Sequence, residues 1–396
     1  MCMRVVVRTS HDKTGPVFSI SRDSSLPLHT QLLNELRHAI LSGKLKPHDR
    51  LPGEMTLIAQ LGISRTTIQR AWQAAQEEGL IYRVPTKGTY VAEPRANQQT
   101  PRIVGFLIPE FRYTFDGNLL DGAEKVLRAH GYRLLYAQTG RRVAEEIRLL
   151  REMCAEGVVG FLLWPVSEEQ EGQALTSRDC GVPIVLLDRP IPGAALPCVT
   201  SRNYNGGLQA MHHLLELGHQ RIAFLAWPHL ELWPIAERLR AYQDAMRSAG
   251  LEPRPTLLIG LPTEASNYVR YTQEASEDVE RLAEILRQPD RPTAIFAMND
   301  LVALQALRAA GEAGLHVPRD LSIVGFDNLE LTEHVAPALT TVAQDVSRMG
   351  AEAAHRLLAL IDGEKASDIF TLLPTRLVMR ASTAPPPNTT KQGKEV

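Results

Sequence analysis

The sequence is poor in the features that mark a membrane protein, a disulfide-stabilised secreted domain or a zinc protein. It has four cysteines among 396 residues and no C-x-x-C pair, so we expect reduced thiols and no structural zinc. No apolar stretch reaches the roughly 20 residues that span a bilayer. Residues 1–24 lack the apolar run of a secretory signal. These absences predict a cytoplasmic protein that does not associate with membranes.

Catalytic signatures are also lacking. The chain has no phosphate-binding glycine loop, no H-E-x-x-H and no G-x-S-x-G. Lysine is scarce, with Lys125 alone between residues 100 and 361, so no pocket lysine is available for a Schiff base. The aspartates Asp188 and Asp327 could in principle do acid–base work, which keeps a sugar-processing enzyme as the alternative class. We predict no catalysis, no cofactor and no metal.

The charge that is present is unevenly distributed. Residues 1–100 contain 13 basic and 8 acidic side chains, whereas the remaining residues contain 30 basic and 37 acidic ones. A basic head on an acidic body is typical of a nucleic-acid reader that carries a small-molecule domain. The length of the chain allows two or three domains.

The basic head contains the pattern of a helix-turn-helix motif between Leu51 and Trp72. A short helix ends at Leu61, Gly62 supplies the turn, and Ser64 is placed to cap the following helix. That second helix carries an apolar stripe at i, i+3, i+4 and i+7: Ile68, Ala71, Trp72 and Ala75. Its opposite face carries arginine, glutamine and hydroxyl groups, which match base edges in the major groove. An ordinary surface helix with a solvated polar face would show the same short pattern.

The flanks favour DNA binding. An amphipathic helix over Leu28–Ser42 precedes the motif, and two short strands around a basic, glycine-bearing tip follow it. Between Leu26 and Val91, these anchors resemble the winged helix-turn-helix head of the GntR superfamily of bacterial repressors. The segments that carry the resemblance are PLHTQLLNELRHAILSGKLKPHDRLPGE, ISRTTIQRA, EEGLIYR and KGTYV.

The GntR resemblance implies a set of DNA-contacting residues. These are Ser64, Arg65, Thr66, Thr67, Gln69, Arg70, Lys87 and Gly88. The chain has Met55 and Gln69 at two positions where the family usually has arginine. The resemblance therefore implies an operator preference that differs from that of other members.

After a polar linker over residues 92–101, the sequence changes to short apolar runs that alternate with amphipathic helices. Continuous apolar strands separated by helices predict parallel sheets that are covered on both faces. The series is interrupted near residues 199–205 and then resumes, which favours two doubly wound lobes. A single eight-stranded barrel is the alternative that strand counting leaves open.

Three phrases in the body are similar to the sugar-sensing domain of LacI-type repressors and to periplasmic sugar-binding proteins. They are LGHQRIAFL from Leu217, VPRDLSIVGFDN from Val317, and residues 338–344 followed by Gly350. The resemblance covers about 102–382 and implies a two-lobed clam with ligand between the lobes. It also implies three chain crossings, near 199–202, 341–344 and 373–375.

Polar side chains at the strand ends suit a sugar, whose hydroxyl groups both donate and accept hydrogen bonds. The resemblance maps six of them onto sugar-contacting positions: Asp188, Arg189, Arg238, Asn299, Asp327 and Gln344. An aromatic wall is expected from the loop after the first body strand, at Phe111, Tyr113 or Phe115. Trp164 and Trp227 are secondary candidates. An aspartate or asparagine after a strand is also often a helix cap or a turn residue, so each position has this simpler alternative.

These patterns predict an α/β protein with a winged helix-turn-helix domain and a periplasmic-binding-protein-like body of two doubly wound parallel sheets. The expected divisions are a flexible segment 1–24, a head 25–91, a linker 92–101, a body 102–383 and a disordered tail 384–396. Within the body we expect lobe 1 at 102–200 and 344–372, and lobe 2 at 201–343 and 373–383. 

The predicted function is that of a homodimeric repressor that binds operator DNA and is most similar to arabinose-responsive members. A monosaccharide in the cleft is expected to relieve repression. A corepressor-type regulator that senses a purine or another metabolite is the alternative.

Overall fold

The computed structural model describes residues 18–21, 26–93, 102–111, 114–166, 181–259, 268–364 and 368–387. The side chains of Leu41 and of residues 268–276 are excepted from the description. The predicted linker from 94 onward and the helix expected near 167–179 lie outside the described residues. Within the described part of the chain, no helix is both long enough and apolar enough to cross a membrane.

The head has three helices and a two-stranded hairpin. The helices are α1 (Leu28–Leu41), α2 (Glu54–Leu61) and α3 (Arg65–Glu77), and the strands are β1 (Ile81–Val84) and β2 (Gly88–Val91). The two strands pair in antiparallel register. This arrangement confirms the predicted winged helix-turn-helix fold.

The turn between α2 and α3 follows from two residues. Gly62 ends α2 with a φ of 64°, in the left-handed region where glycine has no steric penalty. Ser64 Oγ accepts a hydrogen bond from the Thr67 amide at 3.2 Å and so caps α3. The predicted stripe of α3 is buried in the core of the head: Ile68, Ala71, Trp72 and Ala75.

The segment before α1 departs from expectation. The sequence predicts a flexible stretch over 1–24, but Phe18 is buried against Trp72, with ring centroids 6.3 Å apart. The Ser19 amide donates to the Glu35 carboxylate at 3.0 Å, and the Ser21 amide donates to Gln31 at 3.0 Å. The apolar residues Val17, Phe18 and Ile20 form a run that is too short to show a helical or strand period, so the sequence alone does not show that Phe18 packs on the head core.

The body alternates strands and helices in chain order. Its strands are β3 (Arg102–Ile108), β4 (Tyr132–Gln138), β5 (Gly160–Leu163), β6 (Ile184–Leu187), β7 (Cys198–Ser201), β8 (Ile222–Ala226), β9 (Leu257–Leu258), β10 (Ala294–Ala297), β11 (Ser322–Asp327), β12 (Thr340–Gln344), β13 (Phe370–Leu373) and β14 (Thr375–Val378). Its helices are α4 (Thr114–Ala129), α5 (Val143–Ala155), α6 (Asn203–Glu216), α7 (Trp233–Ser248), α8 (Tyr268–Leu286), α9 (Asp300–Glu312) and α10 (Val346–Ile361).

Two six-stranded sheets define two lobes, so the barrel alternative is wrong. The lobe 1 sheet has the order β13-β7-β6-β5-β3-β4, and every pair in it is parallel. The lobe 2 sheet has the order β14-β12-β11-β10-β8-β9, with β14 antiparallel to β12. Strand β14 runs against its neighbour because the chain enters lobe 2 directly from β13, without the returning helix that a parallel strand requires.

The chain passes between the two sheets three times, at Arg202, Asp345 and Pro374. The structure places Ser201 and Leu373 in the lobe 1 sheet, where they pair with each other. It places Gln344 in the lobe 2 sheet, opposite Thr375. Each differs from the expected lobe division by one residue, because strand register depends on pairing that the sequence pattern does not record.

Two further expectations are corrected. Residues 384–387, predicted to belong to a disordered tail, are in place, and the Ala384 amide donates to Ser322 Oγ at 3.0 Å. Reduced cysteines were expected, but Cys154 is disulfide-bonded, whereas Cys198 is buried in the lobe 1 core. Disulfide formation depends on which cysteines are close in space, so short spacing motifs do not predict it.

Helices α4 and α10 of lobe 1 approach each other at two glycines. A Cβ atom on Gly122 would lie 1.9 Å from the Ser347 carbonyl oxygen. One on Gly350 would lie 2.0 Å from the carbonyl oxygen of Leu119. Because the obstructing atoms are backbone, neither contact can relax by rotating a side chain. Helix α10 directly follows a lobe crossing, so this contact fixes where the crossing enters lobe 1.

We expect Gly350→Ala to lower the free energy of unfolding by about 1–3 kcal/mol through overpacking of this contact. Gly311→Ala is the matched control, because Gly311 is also helical and has nothing within 4 Å of its Cβ position. That variant should be neutral or more stable by up to about 1 kcal/mol. Urea titrations followed by circular dichroism measure both. Equal midpoints for the two variants would contradict the packing argument.

Candidate functional site

The first candidate site is the polar face of α3. Arg65, Thr66, Gln69 and Arg70 are exposed, on the side of the helix opposite the buried stripe. Ser64 and Thr67 belong to the N-cap of α3, where their hydroxyl groups lie 2.8 Å apart and hydrogen-bond to each other. The exposed set presents guanidinium, amide and hydroxyl groups on one surface, which are the groups that read base edges.

Glu54, the first residue of α2, holds two of these side chains. Its Oε2 accepts from Arg65 Nε at 2.8 Å and from Gln69 Nε2 at 3.4 Å. Arg65 remains 69% exposed in this pair. An exposed ion pair contributes only about 0–1 kcal/mol, so it orients the arginine without withholding it from DNA. The α3 pattern does not reveal Glu54, because its partners lie on the next helix.

The wing, formed by β1, β2 and the turn between them, adds cations. Lys87 is exposed at the turn, and Gly88 has a φ of 124°, where a side chain is strained. A Cβ atom on Gly88 would lie 3.1 Å from Arg50 Nε, so glycine also admits that arginine against the wing. Sequence analysis did not select Arg50 or the exposed Arg83 as DNA-contacting candidates.

A groove separates α3 from the wing. It is lined by Glu54, Gln69, Trp72, Gln73, Gln76, Ile81, Arg83 and Thr89. The recognition helix and a wing strand therefore share one polar surface. A helix for the major groove beside a basic hairpin is the arrangement of a DNA-binding head.

The second candidate site is at the carboxyl ends of the body strands. In lobe 1, β3 has β4 on one side and β5 on the other, and in lobe 2, β8 has β9 and β10. Such a reversal of strand order opens a crevice in which α/β proteins bind ligands. Phe111 follows β3 and Trp164 follows β5 in lobe 1. Trp227 follows β8 and Asn299 follows β10 in lobe 2.

Lobe 1 contributes an acidic residue and an arginine after β6. Asp188 is buried with a φ of 67°, and its carbonyl oxygen accepts from Thr200 Oγ1 at 2.5 Å. The Arg189 guanidinium pairs with Asp188 Oδ2 at 3.2 Å. The same group lies 5.8 Å from the ring centroid of Trp164, which makes Trp164 part of the site.

Two of the three aromatic residues predicted to form the wall, Phe111 and Phe115, contact other rings. Phe115 lies 5.7 Å from Trp164, ring to ring. Phe111 is 45% exposed and contacts Tyr136 edge to face at 6.2 Å. Tyr113 lies outside the described residues. Aromatic rings that are fixed by one another provide an apolar surface for the C–H face of a ligand.

Lobe 2 contributes Arg238, which is only 4% exposed. Its Nε and Nη2 donate to Asn203 Oδ1 at 3.0 and 2.8 Å, and its Nη1 donates to the Met298 carbonyl at 2.6 Å. The guanidinium carbon lies 3.6 Å from the ring centroid of Phe326. Burial lowers the pKa of Arg238, and the nearby carboxylates of Asp327, Asp188 and Asp300 oppose that shift.

Asp327 and Gln344 face the same arginine. Gln344 Nε2 donates to Asp327 Oδ1 at 2.7 Å, and that oxygen lies 3.9 Å from Arg238 Nη1. Burial raises the pKa of Asp327, Arg238 and Gln344 act against the rise, and the charges of Asp188 and Asp116 add to it. Because Asp188 and Asp116 belong to lobe 1, charges of lobe 1 act on a carboxylate of lobe 2.

Asn299 is a helix cap, the simpler alternative given above for an asparagine that follows a strand. Its Oδ1 accepts from the Val302 amide at 3.0 Å and caps α9. Asp300 is fully buried in the first turn of α9. It accepts from the Leu329 amide at 2.7 Å and from Thr341 Oγ1 at 2.5 Å. Burial, followed by the charge of Asp327, raises the pKa of Asp300.

Several buried polar atoms of the described residues near these strand ends have no hydrogen-bond partner. They are Thr139 Oγ1, Trp164 Nε1, Ser201 Oγ, Gln344 Oε1 and Thr375 Oγ1. Unpaired buried polar groups are costly, so a cluster of them indicates a surface that a polar ligand completes. Of this set, sequence analysis had named only Gln344 and Trp164.

Two families match the chain. "Bacterial regulatory proteins, gntR family" covers residues 28–91, and "Periplasmic binding protein-like domain" covers residues 211–383. These ranges correspond to the winged head and to the greater part of the two-lobed body.

Curated relatives align with most of the chain. The arabinose metabolism transcriptional repressor of Geobacillus stearothermophilus is 29% identical over 371 residues, covering 91% of this chain and 99% of that protein. The HTH-type transcriptional regulator CelR of Thermobifida fusca is 30% identical over 348 residues, covering 84% and 98%. A solved LacI family regulator from Enterococcus faecium with bound ribose is 29% identical, with a TM-score of 0.59, and covers 72% of this chain and 99% of that one.

A winged DNA-binding head joined to a two-lobed ligand-binding body defines a one-component transcriptional regulator. The chain belongs to the bacterial HTH-type transcriptional regulators, with a gntR-family head and a periplasmic-binding-protein-like, LacI-type body.

We expect Arg65→Ala to reduce discrimination between operator and unrelated DNA by about 1–3 kcal/mol, because a bidentate arginine–guanine contact is lost. Lys87→Ala should weaken binding to all sequences and reduce the salt slope by about one, because a phosphate contact is lost. Arg128→Ala, at an exposed arginine of α4, is the charge-matched control. Gel-shift competition at several salt concentrations separates the effects. Unchanged operator preference in Arg65→Ala would contradict the assignment of the recognition helix.

Proposed function

We propose that this regulator represses carbohydrate-utilisation genes and that a monosaccharide bound between the lobes relieves repression. The observation that carries the proposal is the convergence of Asp188 and Arg189 of lobe 1 with Arg238, Asp327 and Gln344 of lobe 2. The charge of Asp188 raises the pKa of Asp327, and both carboxylates act to raise the pKa of Arg238. One small ligand can therefore contact both lobes.

A sugar fits this chemistry better than an apolar or strongly charged ligand. Carboxylates, a guanidinium and amides serve a ring of hydroxyl groups, and the pair of Phe115 and Trp164 offers an apolar face. Both cleft arginines already have protein partners. Arg189 pairs with Asp188, and Arg238 donates to Asn203. An uncharged polyol can add to this network without needing an unengaged cation.

The relatives support a sugar. One is a repressor of arabinose metabolism, and a solved regulator of the same fold holds ribose. We infer that this chain likewise responds to a pentose or a sugar of similar size. We also propose that it acts in the cytoplasm and has no catalytic activity. We propose a homodimer, because a two-fold regulator reads a pseudo-palindromic operator.

The direction of the response follows from linkage. A ligand shifts an equilibrium only by its differential affinity for two states. Groups from both lobes can all contact the sugar only when the cleft is closed, so sugar favours closure. Closure moves lobe 1, whose first strand begins at Arg102, shortly after the linker from the head. The sugar is therefore expected to act as an inducer.

We expect L-arabinose or D-ribose to lower operator affinity, and fluorescence-anisotropy titrations with and without each sugar measure this. A non-operator duplex of equal length controls for general salt or viscosity effects. Tighter operator binding in the presence of sugar would establish a corepressor instead. No effect of any pentose or hexose in a panel would contradict the sugar assignment.

We expect Asp327→Ala and Arg238→Ala each to abolish the sugar response at concentrations that saturate the unmodified protein. Each removes charge-assisted hydrogen bonds that contribute roughly 1.5–3 kcal/mol, or about one to two decades of sugar affinity. Operator binding without sugar should be retained. Arg240→Ala, two residues from Arg238 but exposed and paired with Glu237, is the control. Variants of Asp327 and Arg238 that respond at the original sugar concentration would locate the pocket elsewhere.

A further inference from the structure

A chain of hydrogen bonds runs from the cleft arginine of lobe 2 to the cleft aspartate of lobe 1. Its centre is Asn203, which is 2% exposed and is the first residue of α6, immediately after the first lobe crossing. The side-chain oxygen of Asn203 accepts hydrogen bonds from lobe 2, and its side-chain nitrogen donates to lobe 1. No other described residue joins Arg238 to the strands of lobe 1 in this way.

The oxygen of this amide is committed to lobe 2. Asn203 Oδ1 accepts from both Nε and Nη2 of Arg238, at 3.0 and 2.8 Å. The guanidinium is also held by the Met298 carbonyl and the face of Phe326. A displacement of Arg238 on its ligand side would therefore be transmitted to the amide of Asn203.

The nitrogen is committed to lobe 1. Asn203 Nδ2 donates to the Ser201 carbonyl at 3.1 Å, at the last residue of β7, and more weakly to Thr200 Oγ1 at 3.5 Å. Thr200 Oγ1 in turn donates to the carbonyl oxygen of Asp188 at 2.5 Å. Asp188 is in the left-handed region, so its backbone position depends on such a contact.

We propose that Asn203 is a positioning residue that couples occupancy of the sugar site to the geometry of the lobe crossing. The relay comprises Arg238, Asn203, Thr200 and Asp188. Its two ends are side chains that the proposed function assigns to the sugar, so the inference depends on that function. Its middle lies on the chain segment that must change direction when the lobes close. Asn203 itself need not touch the sugar.

An amide is required at this position because the relay needs an acceptor and a donor on one short side chain. Asn203→Asp keeps the acceptor for Arg238 but loses the donor to Ser201. Asn203→Ala loses both. Thr200→Val removes the hydroxyl that donates to Asp188 and accepts from Asn203, at nearly constant volume, and leaves the bond from Asn203 to Ser201 in place. These three variants interrupt the relay at different links.

The control is Gln209 on the same helix. Its Nε2 donates to the Thr375 carbonyl at 3.1 Å, and its Oε1 accepts from the Leu377 amide at 2.9 Å. Gln209→Ala therefore removes two side-chain hydrogen bonds that attach α6 to β14 of the same lobe. It does not interrupt any link between Arg238 and lobe 1, so a general loosening of α6 would affect both variants alike.

The experiment measures operator affinity with and without saturating L-arabinose and D-ribose, and separately measures the affinity of each sugar for DNA-free protein. The ratio of the two operator affinities is the coupling between the sites. We expect Asn203→Ala to reduce this ratio by about 2- to 30-fold, the range for residues that transmit coupling. Asn203→Asp and Thr200→Val should give smaller reductions. Sugar-free operator affinity should stay within about twofold.

Gln209→Ala should keep the coupling of the unmodified protein. An unchanged coupling in Asn203→Ala at saturating sugar, whatever its sugar affinity, would overturn the relay while leaving the proposed function intact. An equal loss in Gln209→Ala would show a general effect of α6 and would also overturn it. If Asn203→Ala fails to fold by circular dichroism, Thr200→Val decides the question by the same ratio. An unmodified protein that responds to neither sugar would overturn both the relay and the proposed function.

Discussion

Burying the guanidinium of Arg238 is the constraint on which the effector cleft depends. An uncompensated buried charge costs several kcal/mol or more, a large share of the stability of a whole domain. Here the charge is met by the Met298 carbonyl, the amide oxygen of Asn203, the face of Phe326 and the carboxylate of Asp327. These partners come from the ends of two lobe 2 strands and from the start of α6. One side chain thus determines how the ends of three elements and a lobe crossing lie relative to each other.

The two candidate sites treat their arginines in opposite ways, and the difference suits their partners. In the head, Arg65 is mostly exposed and pairs with Glu54 in water, where such a pair contributes little and is screened by salt. It can exchange Glu54 for DNA at small cost. In the cleft, Arg238 is enclosed, so any change at its ligand side alters hydrogen bonds that are not weakened by water. An exposed arginine suits reversible DNA binding. A buried arginine suits a site at which ligand binding must change the conformation of the two-lobed body.

Much of this arrangement could be predicted from local patterns. The apolar stripe of α3, the glycine turn at Gly62 and the cap at Ser64 are where spacing and capping chemistry indicate. The polar residues of the cleft follow apolar strands, as parallel sheets require. Prediction failed where an apolar run is too short to show a period, as at Phe18, and where a residue bonds to one far along the chain, as Ala384 does with Ser322. It also missed the disulfide of Cys154, because its formation depends on proximity in space.

By itself, the sequence determined which segments are helices and strands, which face of each is buried, and which polar side chains follow the strands. It could do so because periodicity and capping are properties of a few neighbouring residues. Only the tertiary structure decided what those faces and side chains meet. Gly122 and Gly350 allow a neighbouring helix backbone to approach closely. Glu54 accepts a hydrogen bond from Arg65, and the side-chain oxygen of Asn299 caps a helix. Asn203 looks like an ordinary residue after a strand, yet it joins Arg238 to lobe 1. Its partners are distant in sequence, and hydrogen bonds between distant residues leave no pattern in the order of amino acids.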